Sequence, residues 1–234
     1  MDTHRQKVHT VFTRIASRYD SMNTILSLNL DKSWRRRTLQ AASPQPGEQW
    51  LDVCCGTGKL TLEIRRILGD TGAVTGLDFN SSMLEVAKRA ETQVKFVRAV
   101  RWLEADAMEL PFADETFDGI TIGFGLRNLP DIDKGIVEMA RVLKSGGRWV
   151  CLELSHPVWP IFRQGHGFFV RYVVPRVGNL GLGEQTDYQW LPESLRKFPG
   201  AEELADRIRQ AKLTDVRFER LSGGIAAVHV GYKP

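Results

Sequence analysis

Apolar and polar positions follow two different rhythms along this chain, and the rhythm changes once. Near the start Val8, Val11, Phe12, Ile15 and Tyr19 recur at intervals of three and four, which predicts an amphipathic helix over Val8 to Tyr19. A second helical stretch is predicted from Leu30 to Ala42, broken by Ser43-Pro44-Gln45-Pro46-Gly47. Beyond that break, short apolar runs alternate with helical ones. Strands are predicted at Gln49 to Cys54, Ala73 to Asp78, Val100 to Ala105, Phe117 to Gly123 and Trp149 to Leu154. Helices are predicted at Lys59 to Leu68, from Ser81 onward, and at Asp131 to Lys144, where Gly146-Gly147 stops the pattern. A helix over Glu193 to Lys212 and strands at Val216 to Leu221 and Ala226 to Gly231 follow. Such βαβ alternation implies an α/β fold, a mostly parallel sheet with helices on both faces.

One stretch departs from the pattern. Ser155 to Gly183 has no acidic residue, and carries Arg163, Arg171 and Arg176 among Trp159, Phe162, Phe168, Phe169 and Tyr172. Residues 155–190 read as an insertion after a central strand, facing a substrate or a membrane surface. The length, 234 residues, suits one domain with its own core. Lys+Arg number 32 and Asp+Glu 28, and no dense basic run accompanies this mild excess, which argues against a nucleic-acid partner. The three cysteines form no C-x-x-C pair and no histidines stand at zinc spacing, so neither a metal site nor a disulfide framework is expected. Met1 to Lys7 lacks a following apolar segment, and no run approaches the ~18 apolar residues of a span. A cytoplasmic location follows, with any membrane contact peripheral.

The most informative turn is Leu51-Asp52-Val53-Cys54-Cys55-Gly56-Thr57-Gly58, between a predicted strand and helix. Glycines there let backbone approach a ligand, beside the free N–H groups of a helix start. A Walker A loop is excluded because Val53 and Leu60 stand at two of its required positions. A dinucleotide fingerprint is weakened by Thr61 at its third glycine. An S-adenosylmethionine loop needs fewer glycines, because its ligand has no pyrophosphate. Asp52, at the strand end, can face the ammonium or sulfonium of that ligand. Asp78 follows the loop at the about 20-residue spacing that lets a carboxylate accept ribose hydroxyls; the alternative is a helix N-cap. Asp106-Ala107, after the third strand, can meet an adenine amino group and leave room for its ring, or be a simple loop acid.

Together these residues resemble the class I methyltransferases. Within them, Asp106 to Phe112, Phe117 to Asn128, Arg141 to Gly147, the Tyr19-Asp20-Ser21-Met22-Asn23 block, Tyr188 to Ser194 and Gly224 to His229 resemble the ubiquinone/menaquinone biosynthesis C-methyltransferase family (UbiE/MenG type) across nearly the whole chain. The paired cysteines and the Gly-Tyr-Lys-Pro end look most like its menaquinone branch. The resemblance implies a Rossmann-like sheet of seven strands, with residues 1–45 as a helical lid. It implies S-adenosylmethionine as cofactor, held by Thr57, Asp78, Asp106 and Ala107, with Asp52, Gly56 and Gly58 from the loop. Gly123 stands where some members line the cofactor with Ser. The implied reaction is C-methylation of a demethylmenaquinol ring; a demethylphylloquinol or ubiquinone precursor is the alternative, and a nicotinamide oxidoreductase or a non-catalytic membrane protein the readings from other classes. Arg127 is expected to stabilise the ring phenolate with Asn128 as hydrogen-bond partner, His156 is a candidate base, and Tyr19 and Asp20 are expected to close the lid. Expected partners are a prenylated quinol and, transiently, the inner face of the membrane; a homodimer is left open. Asn29 and Asp31 depart from the Gly and His common there, and their stretch receives no role.

Overall fold

The computed structural model describes residues 3–94, 96–158 and 190–234. Three helices come first: α1 (Thr3–Ile15), α2 (Tyr19–Leu26) and α3 (Leu30–Ala42), with a 3₁₀ turn at Ala16–Arg18. The alternating part follows as β1 (Gln49–Val53), α4 (Lys59–Leu68), β2 (Ala73–Asp78), α5 (Ser81–Thr92), β3 (Arg101–Glu104), β4 (Phe117–Gly123), α6 (Ile132–Val142) and β5 (Leu143–Leu154). The last described elements are α7 (Trp190–Lys197), α8 (Ala201–Gln210), β6 (Thr214–Leu221) and β7 (Ala226–Tyr232). The strands form one sheet in the order β3-β2-β1-β4-β5-β7-β6. Strands β1 to β5 pair in parallel, while β7 runs antiparallel to β5 and β6. The expected α/β class I methyltransferase architecture is what the chain adopts.

Side chains alternate faces along a strand, and the two cores show it. Leu51, Val53, Trp149 and Cys151 pack with Ile136 and Met139 of α6 and Ile208 of α8. Trp50, Val150 and Leu152 face the other way, onto Trp34 of α3 and Leu60 and Ile64 of α4. A smaller core joins Val11, Ile15 and Met22 of α1 and α2 to Met83 of α5, with Leu191 of α7 alongside. This division corrects the lid boundary. Helix α3 belongs to the sheet layer, with the Trp34 indole donating to Ser222 Oγ at 2.9 Å; only α1 and α2 lie across the open edge.

Other boundaries moved for local reasons. The helix expected over Val8 to Tyr19 ends at Ile15 and restarts, after a 3₁₀ turn, as α2, a short helix whose Tyr19, Met22 and Leu26 turn one apolar face onto the small core. The helix expected over Glu193 to Lys212 is two helices, since Pro199 disfavours helical backbone at Phe198 and α8 starts after Gly200. The helix expected to reach Lys144 yields at Leu143, where β5 begins and pairs with Phe117. No described helix is long and apolar enough to cross a membrane. Most of the insertion, 159–189, lies outside the described residues, and with it Arg163, Arg171, Arg176 and the aromatics among them.

Candidate active site

The strand order reverses between β1 and β4, which places a crevice at their C-terminal ends. Asp52 is the residue of β1 that points into it. It shares a face with Trp50 and lies in register beside Thr121 of β4. Its carboxylate is 1% exposed and accepts from Thr61 Oγ1 at 2.5 Å and Thr121 Oγ1 at 2.7 Å. A buried carboxylate without such donors would be costly. Burial lifts its pKa to about 6, against the pull of those two hydroxyls.

The turn after β1 is built on left-handed backbone at Cys54, Gly56 and Gly58. Gly56 N donates to Asp78 Oδ2 at 2.9 Å, and Asn80 N donates to Asp78 Oδ1 at 2.9 Å. Asp78 therefore pins the first and second loops together, and burial raises its pKa to about 6 as well. It is not the helix cap: Asn80 caps α5 by accepting from Met83 N at 3.1 Å. Asp106 turns back on its own loop, accepting from Met108 N at 2.9 Å.

Two adjoining cavities occupy this edge. The larger, about 80 Å³, is lined among others by Asp52, Gly56, Thr57, Asp78, Gly123 and Asn128. The smaller, about 30 Å³, is lined by Asp106, Ala107 and Met108. Cys54, Phe79, Asn128 and Leu129 line both, so all three acidic loops open onto one trough. A Cβ added at Gly56 would meet nothing within 4 Å, so the space over the loop is open. A Cβ at Gly123 would sit 3.5 Å from Leu60, an ordinary contact that admits serine. Gly58 is different: its Cβ would fall 2.6 Å from the Trp102 ring, and it lines neither cavity. Its missing side chain serves the close packing of the turn against Trp102.

The charge of the trough fits a cationic nucleoside. Burial pushes the Cys54 thiol well above its ordinary value, and Asp78, Asp52 and Asp106 push it further. The thiol stays protonated beneath a ring of carboxylates. These donors and acceptors suit S-adenosylmethionine: Asp78 for the ribose diol, Asp106 and Ala107 for the adenine end, Asp52, Gly56 and Thr57 for the sulfonium and amino-acid end. Among the described residues no His, Cys, Asp and Glu group could hold a metal.

Helices α1 and α2 clasp every one of these loops. Thr57 Oγ1 donates to Asp20 Oδ1 at 2.7 Å, and Lys59 Nζ lies 3.4 Å from the same oxygen. Arg5 pairs with Asp106 at 2.9 Å. Asn80 Nδ2 donates to His9 O and to Thr13 Oγ1.

Two expected chemical residues stand elsewhere. Arg127 lines neither cavity. Its guanidinium is 7% exposed and pairs with buried Glu153 at 2.6 Å, while Nη1 also donates to Phe124 O at 2.6 Å. It anchors the β4–β5 loop, so the expected contact with a substrate oxygen is corrected. Asn128 does face the trough, donating to Phe124 O at 3.3 Å. His156 is exposed, with Nε2 3.1 Å from Phe198 O, and lines neither cavity; it is not placed as a base. The cations that do line the larger cavity are Lys59 and Arg35. Sequence reasoning passed over Arg35, which is one of three adjacent arginines and gives no periodic signal.

This sheet, with its acidic loops at the switch point, is that of the class I, S-adenosylmethionine-dependent methyltransferases. A methyltransferase of Aquifex aeolicus superposes with a TM-score of 0.60 at 18% identity, covering 84% of this chain and 88% of that one. One of Thermotoga maritima gives 0.67 at 18%, covering 97% and 99%. The family model for the ubiE/COQ5 methyltransferases matches residues 1–233, and the chain belongs to that family. The demethylmenaquinone methyltransferase of Staphylococcus aureus strain MRSA252 is 44% identical over 230 residues, 98% of this chain and 94% of that protein.

Proposed function

We propose that this enzyme transfers the methyl group of S-adenosylmethionine to a ring carbon of a demethylmenaquinol, the final ring methylation of menaquinone. The likeness to demethylmenaquinone methyltransferases over 98% of the chain carries this reading. The trough supports it. Beyond the carboxylates its wall turns apolar and aromatic, with Phe12, Tyr19, Phe124, Leu129 and Leu152, a surface for a flat ring.

The bound cofactor supplies an electrophilic methyl group. The chain holds the ring in line with it and keeps water out, and both lower the barrier. The test is to incubate the purified enzyme with S-adenosylmethionine and chemically reduced demethylmenaquinone, then read the product by mass spectrometry and NMR. A ring C-methyl product is expected. Cofactor binding with no product, or an O-methyl product, would overturn the reading.

A prenylated quinol resides in a bilayer, and one described feature favours peripheral contact with it. The turn between α2 and α3 exposes Ile25 (48%), Leu28 (76%) and Leu30 (37%). Left-handed backbone at Leu28 and Asn29 shapes this tip, and exposed Lys32 and Arg36 follow on α3. Apolar residues beside basic ones suit an anionic membrane surface. Co-sedimentation with anionic vesicles should fall in a Leu28→Glu/Leu30→Glu variant; equal binding would remove the tip from this role. No feature of the described surface argues for a homodimer, and none is proposed.

A further inference from the structure

Among the described residues two cations line the larger cavity, Lys59 and Arg35, and the geometry singles out Arg35. Arg35 lies one turn after Asp31 on α3, and its side chain reaches the trough among Tyr19, Phe124 and Leu152. Asp31, 1% exposed, takes one edge of the guanidinium through Nη2. Ser27 Oγ in turn donates to Asp31 Oδ1 at 3.1 Å and accepts from Asp31 N at 3.3 Å. The guanidinium carbon sits 6.0 Å from the Phe124 ring centroid, and the Trp34 ring lies tilted against Phe124 with centroids 6.2 Å apart. The side chain is 14% exposed. It is thus held on one edge and over one face, and it has five N–H donors, only one of which Asp31 uses among the described residues.

The other cation of the trough is less suited. Lys59 starts α4 beside the glycine turn and pairs with Asp20, at the cofactor end. Arg35 stands at the aromatic end, where the ring belongs. Resting on the functional reading above, we infer that Arg35 is a catalytic residue that binds the ionising hydroxyl oxygen of the quinol. In that step the O–H bond breaks, its electron pair stays on oxygen, and the proton leaves to water. The guanidinium holds the resulting phenolate, and the negative charge makes the ring carbon nucleophilic.

Tyr19 is a neighbour and not the base. Burial raises its phenol above the ordinary value, opposed by Arg127, by its hydrogen bond with Asn23 and by Arg35, with Glu153 acting in the same sense as burial. It stays protonated at neutral pH and can only donate or accept a hydrogen bond. Arg35 with its partner Asp31 is the charged pair at this wall, Asp20 and Lys59 line the same cavity, and Arg127 and Glu153 act on Tyr19 from behind the wall.

The experiment compares wild type with Arg35→Gln, Arg35→Lys and Asp31→Asn/Arg35→Gln. Three quantities are read: turnover on reduced tail-less demethylmenaquinone, affinity for S-adenosylhomocysteine by calorimetry, and the ionisation of bound 1-naphthol by ultraviolet absorbance. Arg35→Gln should lose roughly 10²–10³-fold in turnover with unchanged nucleoside affinity. The ionisation of bound naphthol should rise by roughly 1–3 pH units. Lys keeps the charge without the fork and should retain part of both effects. The double variant removes both charges, so no carboxylate is left buried alone; it should behave like Arg35→Gln, and it decides the matter if the single variant does not fold. Wild-type turnover and an unshifted naphthol titration in the variants would overturn the assignment. Should wild type itself not methylate the quinol, the functional reading fails, while the naphthol titration still judges Arg35.

Discussion

The sheet edge and the helices across it contribute to one trough by opposite routes. At the edge, each of the three carboxylates lies within two residues of the end of a strand. Asp52, Asp78 and Asp106 are placed by hydrogen bonds within a few residues of themselves or to the adjacent strand. Across it, Asp20 and Arg5 reach loops 37 and 101 residues away in the chain, and Arg35, held locally by Asp31, meets the trough through the packing of α3 beside it. Local placement gives rigidity, which suits a binding site for the nucleoside. Distant placement ties the other wall of the trough to the packing of the N-terminal helices.

The sharpest test of this contrast is the pair of arginines. Arg127→Ala leaves Glu153, 2% exposed at its side chain, as a buried charge without its partner. Stability should fall by about 3–5 kcal/mol, seen as a lower denaturant midpoint. An Arg127→Met/Glu153→Leu variant should lose much less. If Arg127→Ala folds normally and loses only turnover, Arg127 is chemical after all and the comparison breaks.

On the edge side, Asp78→Ala should weaken S-adenosylhomocysteine binding by about 1–3 kcal/mol, measured by calorimetry. Affinity unchanged in a folded variant would move the ribose elsewhere. Part of any loss reflects the loop itself, because Gly56 N loses its acceptor; Asp78→Asn, which keeps an acceptor, should lose less.

The two carboxylates also tie the edge to pH. Asp52 and Asp78 both titrate at about 6 when folded, above the unfolded value near 4. Between those values the native state holds more protons, so stability of the ligand-free protein should decline as pH rises from about 4 through 6. Affinity for cationic S-adenosylmethionine should move the other way and strengthen over that same rise. A flat binding curve from pH 5 to 7.5 would show that neither carboxylate faces the cofactor's charge.

Legibility in the sequence follows the same division. The glycine turn, Asp78 and Asp106 were readable because strand ends are predicted by local pattern, and the sheet brings neighbouring strand ends together. The packing demand at Gly58 is not legible, because a glycine that makes room for Trp102 looks in sequence like one that makes room for a ligand. Arg127 was misread because its partner Glu153 is 26 residues away on β5. Arg35 is hidden for a similar reason, since a cation four residues from an acid on a helix looks like surface charge, and Asp31 is set aside with Asn29 as a departure from the family pattern, until the fold shows that the open side of the pair is a cavity wall.

The smallest expected effect concerns how the nucleoside gets in. The two cavities of the trough lie against α1 and α2. An outward shift of these helices would widen the way to Asp78, and the hydrogen bond from Thr57 to Asp20 has to part for it. A contact made only in the closed form lowers the fraction of molecules able to bind. Removing it should therefore speed association. Thr57 is buried and the Asp20 side chain is 35% exposed, so the bond is worth about 0.5–1.5 kcal/mol, and Asp20→Ala should raise the association rate several-fold. Asp20→Asn keeps an acceptor for Thr57 and gives up only the partly exposed pairing with Lys59, worth about 1 kcal/mol at most, so its rate should fall between. Stopped-flow tryptophan fluorescence with S-adenosylhomocysteine reads both. If neither substitution changes the association rate, the clasp does not gate the trough, and opening must begin at the Arg5–Asp106 end instead.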